Sequence, residues 1–507
     1  MATVLLLVIL ATAVATFARL RDIPAPSLLV LAGLGVALVP GTPELHVPPE
    51  AIALVVLPPL LYASAEELPL RDLRTVWRPV TVLAFGLVLA SAAAVAFTAS
   101  ALTGLSPATA FVLGAILSST DPVAVTALGR RLPLPGRTQV LVQAESLFND
   151  ATSLVLFKVA IGVAVAAGPV HAGSAIGRFA VLAGGGSVVG AVVAGVVALL
   201  RRRTADPVLD TVIALVTPYA AYVLAESAHA SGVTAVVVAG VLLGRSGHRL
   251  GDARVRLHRE AVYGVVVFVL ESVVFGVIGL TLPELVGDLP PGSGRWPLQA
   301  LALAGVLVVL RLVWMVVLTA VAGPARLRPS WPDAAVASWA GTRGVMPLAA
   351  ALSVPLVADG GGPLPGRPLV LVLTTAVVVV TLVVQGFTLA PLVARSGLAV
   401  APHRVAREED EARAALARAA HARLDELAAA GGGFPPAVVA HQRAALAAPD
   451  EAAARELRLH VIAAQRAELR RLYDAHAISS ATLTTLQSRL DREAAASSPA
   501  GLPIRGG

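Results

Sequence analysis

The chain has no cysteine among its 507 residues. That excludes disulfides, thiolate zinc sites and cysteine nucleophiles. Charge is scarce as well: Asp, Glu, Lys and Arg make up 14% of the residues, against about 25% in an ordinary soluble domain. A single core stops growing near roughly 250–300 residues, so a soluble chain of this length would need several solvated surfaces. The scarcity of charge excludes a soluble enzyme for most of the chain. The hydrolase signatures HExxH, GxSxG and GxGD are missing too, which argues against a membrane-embedded hydrolase. What is present is apolar: 56% of the residues are hydrophobic and the mean hydropathy is +0.79. These values describe a polytopic membrane protein. The net charge of +7 would point to nucleic acid in a soluble protein. Here the arginines sit in loops beside apolar runs, where they set orientation instead.

A spanning helix needs about 20 apolar residues. Thirteen candidate runs lie at 2–18, 25–39, 50–65, 79–102, 107–128, 142–167, 177–200, 208–226, 231–244, 260–282, 298–321, 333–357 and 368–394. The second and ninth are short for a full crossing. Arg19 and Arg21 follow the first run rather than precede it, which favours an uncleaved helix over a signal peptide. Alternate loops carry Arg71/Arg74/Arg78, Arg130/Arg131/Arg137, Arg201–Arg203, Arg245/Arg249/Arg254/Arg256/Arg259 and Arg326/Arg328, while the opposite loops hold only Arg178, Arg295 and Arg367. The positive-inside rule therefore places the arginine-rich side in the cytoplasm and the N-terminus outside. Thirteen spans divide as 6+1+6, the inverted repeat of many secondary transporters. Residues 399–507 are polar and alanine-rich. They read as a cytosolic helical tail with segments at 408–429, 451–476 and 481–495, broken by Gly431–Pro436.

Ionisable residues inside apolar runs are functional candidates by default. Asp121 lies in Ser118-Ser119-Thr120-Asp121-Pro122 in the fifth run. Pro122 disfavours helix at the preceding residue, and a broken helix at midplane is tolerated where it lines a cavity or is buried in protein. The sixth run holds Glu145-Ser146-Leu147-Phe148-Asn149-Asp150. Glu145 and Asn149 are i,i+4, as are Ser146 and Asp150, so the four share one side of a helix. Carboxylate, hydroxyl and carbonyl oxygens suit a hard cation such as Na+. A desolvated carboxylate without that cation takes a proton, so one oxygen set holds either H+ or a metal ion. Gly341-Thr342-Arg343-Gly344 interrupts the twelfth run, the symmetry mate of the fifth. Interrupted helices at matching places in two halves are the best sequence pointer to a transport site. Arg343 needs an anion, with Glu145 the first choice. Arg311 would neutralise half-helix ends or pair with Glu271. Lys158 lies toward the outer half of the sixth run, within reach of the headgroups, and Glu226 lies near a helix end. Gly186, Gly190, Ala191 and Gly195 permit a close helix contact, within one chain or across a dimer.

At these residues the sequence resembles the NhaP/NHE-type monovalent cation/proton antiporters. The resemblance rests on Pro58-Pro59-Leu60-Leu61-Tyr62, Thr120-Asp121-Pro122, Glu145 to Ala151 and Gly341 to Gly344, and covers residues 1–398. Gln465 to Leu469 and Leu490-Asp491 are similar to cytosolic tails of bacterial members. The resemblance implies an all-α polytopic membrane protein of about thirteen helices, with two discontinuous helices that cross. It implies a homodimer in the cell membrane, no cofactor, and exchange of Na+ (or Li+, K+) for H+. It assigns Asp150 as the shared ion and proton site, with oxygens from Asp121, Thr120 and Ser146. Asn149, Glu145, Arg343 and Arg311 would support that site, with Arg343 pairing Glu145. The Asn-Asp pair resembles the electroneutral branch, and Phe148 departs from the usual leucine. A potassium/proton antiporter is the alternative, since the motifs set charge and not ion size; a cation channel fits less well.

Overall fold

The computed structural model describes residues 2–21, 23–39, 52–68, 70–121, 136–165, 172–204, 206–246, 253–321, 331–357, 362, 364–397, 402–429, 435–446, 461–469, 471, 486, 490 and 493. It forms two compact units, Met1–Val400 and Ala401–Gly507.

The first unit is built of helices. Its helices are α1 (Ala2–Arg21), α2 (Ala25–Ala37), α3 (Leu57–Glu66), α4 (Leu70–Thr81), α5 (Val88–Thr103), α6 (Pro107–Leu117), α7 (Gly136–Val165), α8 (Ala172–Arg202), α9 (Pro207–Ser227), α10 (Gly232–Ser246), α11 (Ala253–Gly287), α12 (Trp296–Val321), α13 (Trp331–Trp339), α14 (Val345–Leu352) and α15 (Arg367–Ser396). Local sequence explains many of the ends. Ser106 accepts a hydrogen bond from the Thr109 amide, and Asp206 accepts one from Val208; proline follows each cap. Both are favoured N-terminal arrangements. Helices α5 and α15 stop at Gly104 and Gly397, each with φ of 69°, the left-handed turn that glycine supplies. Pro79 inside α4 is followed by a wider π segment, Val82–Leu87, before α5 continues the same rod. A missing backbone donor and ring crowding explain that loosening.

Seven described helices are long and apolar enough to cross a membrane, and five more are shorter apolar helices. The second and ninth runs are among the short ones, at 13 and 15 residues. The twelfth run is two half-helices, α13 and α14, separated by extended chain at 341–344.

Packing sorts the helices into two groups. One contains α4–α7 and α12–α15; the other contains α1–α3 and α8–α11. They meet mainly where α7 touches α3, α8 and α10, and where α15 touches α2 and α11. The small residues of α8 serve this packing. A Cβ at Gly186 would lie 2.4 Å from the Ser231 carbonyl oxygen, and one at Gly190 would lie 2.3 Å from that of Ala235. At these two glycines the close contact is with α10 of the same chain, whereas Gly195 faces open space.

Arg201, counted above among loop arginines, is buried. Its guanidinium lies 3.4 Å from Glu66 Oε1 and 3.6 Å from Asp210 Oδ1, and Arg259 flanks the same two carboxylates at 3.5 and 3.8 Å. The ends of α3, α8, α9 and α11 are thereby tied together within the second group. Each arginine neutralises an acid that would be costly to bury alone.

In the second unit, the described helices include α16 (Pro402–Ala429) and α17 (Pro436–Leu446), with residues 461–469 also helical. Helix α17 begins at the last residue of the expected break and fills a stretch to which the sequence reading gave no helix. The Pro435-Pro436 pair starts a helix rather than preventing one, because proline is tolerated in a first turn. Arg443 reaches Asp425 and so joins α17 to α16. The break at Gly431–Phe434 and most of the proposed 481–495 segment lie outside the described residues.

Candidate ion-binding site

Two stretches of extended chain cross at the centre of the first helix group. Helix α6 ends at Leu117, earlier than the Pro122 break the sequence suggested, and Ser119–Asp121 continues without helix. Pro122 itself lies outside the described residues. The second stretch joins α13 to α14. The two form an antiparallel bridge between Asp121 and Thr342. The Asp121 amide donates to the Thr342 carbonyl at 2.7 Å, and the Thr342 hydroxyl donates to the Asp121 carbonyl at 2.8 Å. These bonds satisfy backbone groups that leaving the helix exposes, as burial requires.

Helix α7 braces the crossing from the side. Ser146 Oγ donates to the Thr120 carbonyl at 2.6 Å, Asn149 Nδ2 donates to Thr120 Oγ1 at 2.6 Å, and the Thr120 amide donates to Asn149 Oδ1 at 3.4 Å. One turn of α7 thus holds Thr120 by three bonds, and the i,i+3 spacing of Ser146 and Asn149 puts both on the face that meets it. Asp150 follows Asn149 and is 8% exposed. Its carboxylate interacts with the charge of Asp121 and with the Ser119 side chain. The structure therefore brings Asp150, Asp121, Thr120, Ser146 and Asn149 together. It adds Ser119, which the sequence reading quoted within the Ser-Ser-Thr-Asp run but did not assign.

The glycines of the twelfth run have a specific role. A Cβ at Gly344 would lie 1.6 Å from Asp121 Oδ2. Only a bare Cα lets that carboxylate rest at the N-terminal end of α14, where the helix dipole favours negative charge. A Cβ at Gly341 would likewise lie 2.5 Å from Arg311 Nε.

Two arginines complete the site: Arg311 caps a half-helix end, one of the two roles expected of it, but it also takes the acid expected for Arg343. Glu145 pairs with Arg311 and not with Arg343. Arg311 Nη2 lies 2.8 Å from Glu145 Oε2, and Nη1 engages Oε1. Arg311 also donates to the Ala337 carbonyl through Nε at 3.2 Å and Nη2 at 2.9 Å. It therefore pairs an acid and caps the C-terminal end of half-helix α13, and Glu271 is not the acid it takes. Arg343 Nη1 donates to the Gly341 carbonyl at 2.6 Å and Nε to the Leu117 carbonyl at 3.2 Å. The second contact caps half-helix α6. The physical reason is shared: each half-helix presents unpaired carbonyls and a negative dipole end inside the protein, and each receives one guanidinium. A narrow crevice borders this arrangement, lined by Leu83, Leu87 and Val88 as well as Ser91, Ser118, Thr120, Glu145, Asn149, Arg311 and Arg343.

Lys158 and Glu226 stand apart from the crossing. They form an ion pair at 2.5 Å, each about one-third exposed. Reading them singly gave no hint of the pairing.

Residues 4–395 match the family profile described as "Sodium/hydrogen exchanger, transmembrane". The chain belongs to the sodium/hydrogen exchanger family. As an exchanger it is a secondary transporter and a polytopic membrane protein, not an enzyme. It is 35% identical to a Na+/H+ exchanger of Mycobacterium bovis over 92% of this chain and 91% of that protein. It is 32% identical to the Na+/H+ antiporter ApNhaP of Aphanothece halophytica over 75% of this chain and 70% of that one. The fold of the sodium proton antiporter MjNhaP1 from Methanocaldococcus jannaschii superposes with a TM-score of 0.64 at 19% identity, over 78% of this exchanger and 98% of that chain.

Proposed function

We propose that this exchanger moves Na+ against H+ across the cell membrane by alternating access, with Asp150 holding either ion in turn. The observation that carries this reading is the charge at the helix crossing. Asp121, Glu145 and Asp150 supply three acids, and Arg311 and Arg343 supply two bases. With all five ionised the site carries a net charge of −1. One monovalent cation or one proton brings it to zero, and a buried site favours neutrality. Exchange of one for the other is then electroneutral. Asp121, Thr120 and Ser146 lie where they can lend oxygens, while Asn149 and the Glu145–Arg311 pair fix the geometry.

The two helix groups support a 6+1+6 repeat of thirteen spans. The first three spans of each half fall in one group and the last three in the other, and both broken runs fall in the ion-bearing group. Alternating access would move that group against the other, within a homodimer. The arginine-rich loops support an orientation with the N-terminus outside and Ala401–Gly507 in the cytoplasm as a regulatory domain.

The test uses purified protein in proteoliposomes carrying a pH-sensitive dye. Addition of Na+ should dequench the dye, and a parallel titration with K+ and Li+ sets the selectivity. A response to none of the three ions would refute the reading. A response to K+ that exceeds that to Na+ favours the potassium/proton alternative, and some homologues also move K+ and Li+.

A further inference from the structure

The ion pairs of the membrane unit fall in different places. Arg311–Glu145 lies within the ion-bearing group, and the Arg201 cluster lies within the other. Lys158–Glu226 joins the two: Lys158 is on α7 and Glu226 is in the last turn of α9. Lys158 lies eight residues beyond Asp150, about 12 Å further along the same helix at 1.5 Å per residue. Glu226 is in the last turn of α9 and Lys158 is about two turns short of the end of α7, both in the halves of their helices remote from the arginine-rich side. Glu226 is also fixed independently of the lysine. Its Oε1 accepts the Gly232 amide at 2.9 Å, at the start of α10. A carboxylate at a helix N-terminus is favourably placed, so Glu226 belongs to the α9–α10 corner whether or not Lys158 is present.

We propose that Lys158 and Glu226 form a gate that holds the ion-bearing group against the α9–α10 corner in one of the two access states and separates in the other. The inference rests on the exchange reading above, because it requires α7 to move. A mobile ammonium meeting a fixed carboxylate is suited to this task. The bond is short but about one-third exposed, so it biases an equilibrium without locking it. A pair whose only role is stability would have no need to join the two groups through a residue on the helix that carries Asp150.

The cysteine-free sequence makes a direct test straightforward. Lys158→Cys and Glu226→Cys are combined in the full chain and joined by a short bis-methanethiosulfonate linker, with linkage verified by mass spectrometry. Exchange by the unaltered chain tests the exchange reading; the unlinked double variant is the control for the gate, and a folded, unlinked variant without exchange would overturn it, because a contact that only biases two states is not required for turnover. Linkage is expected to slow Na+/H+ exchange by about tenfold or more, with recovery on reduction, because conformational closure gates turnover. Linked protein that exchanges at the unlinked rate would overturn the gate. A second measurement does not depend on that variant. Lys158→Gln and Glu226→Gln should shift the half-saturating Na+ concentration in opposite directions on the two membrane faces, by about two- to fivefold each, because breaking a state-specific contact redistributes the two states. A shift of the same sign on both faces, or loss of thermal stability with no shift, would also overturn it.

Discussion

Arg311→Ala should be among the more damaging single truncations near the ion site, and its cost should depend on Glu145. In the folded chain the Arg311 and Glu145 side chains are each 2% exposed and share two hydrogen bonds. Removing the arginine leaves a carboxylate buried without its partner, which typically costs about 3–5 kcal/mol. It also strips two donors from the Ala337 carbonyl at the end of α13. Glu145→Ala alone strands the guanidinium in the same way. The double variant removes both charges, so the two costs should not add. A coupling of about 2–3 kcal/mol is expected, at the upper end for residues in direct contact. Pairing Glu145→Ala with Arg343→Ala should give a clearly smaller coupling, because Arg343 spends its donors on the Leu117 and Gly341 carbonyls. The assay is a double-mutant cycle on thermal unfolding of the purified protein in detergent, with chemical denaturation as a cross-check. Additive costs for Glu145 and Arg311, or a larger coupling for Glu145 with Arg343, would refute the pairing.

Other outcomes follow from the same geometry. Gly344→Ala should abolish exchange in correctly inserted protein, because a Cβ there collides with Asp121, while Gly195→Ala, which faces open space, should leave transport intact. Removal of Ala401–Gly507 should leave exchange measurable and move its pH dependence. Complete loss of exchange in a correctly inserted truncation would place the tail within the transport machinery.

Much of this was legible in the sequence because membranes limit the options. An apolar run with flanking arginines has few folds available to it, and among the described residues each run contains helix, with the fifth run leaving helix after Leu117 and the twelfth broken at 341–344. The Thr120, Ser146, Asn149 and Asp150 cluster was legible from i,i+4 spacing plus one motif. The arginine assignments were not. Arg343 and Arg311 both needed compensation, and spacing along the chain cannot tell a carboxylate from the carbonyl end of a half-helix as the partner. Only the crossing shows that two half-helices each require a cationic cap. Lys158 and Glu226 were missed for a related reason: 68 residues separate them, and neither carries a local pattern pointing to the other. The tail helix α17 was hidden because its first residue, Pro436, closes the Gly/Pro-rich stretch that reads as a break.

The central claim is that one carboxylate, Asp150, carries both ions. Asp150→Asn keeps the side chain's shape and removes the exchangeable site. The decisive measurement is dye dequenching by Na+ in proteoliposomes containing monodisperse Asp150→Asn protein, beside the unaltered chain over a range of pH. The unaltered chain should show apparent Na+ affinity that weakens as pH falls, since protons compete for the same oxygens, and a bell-shaped rate as protons then become scarce at high pH. The variant should insert and fold but show no Na+-dependent signal at any pH. Exchange by Asp150→Asn above a few per cent of the unaltered rate would contradict the shared-site account.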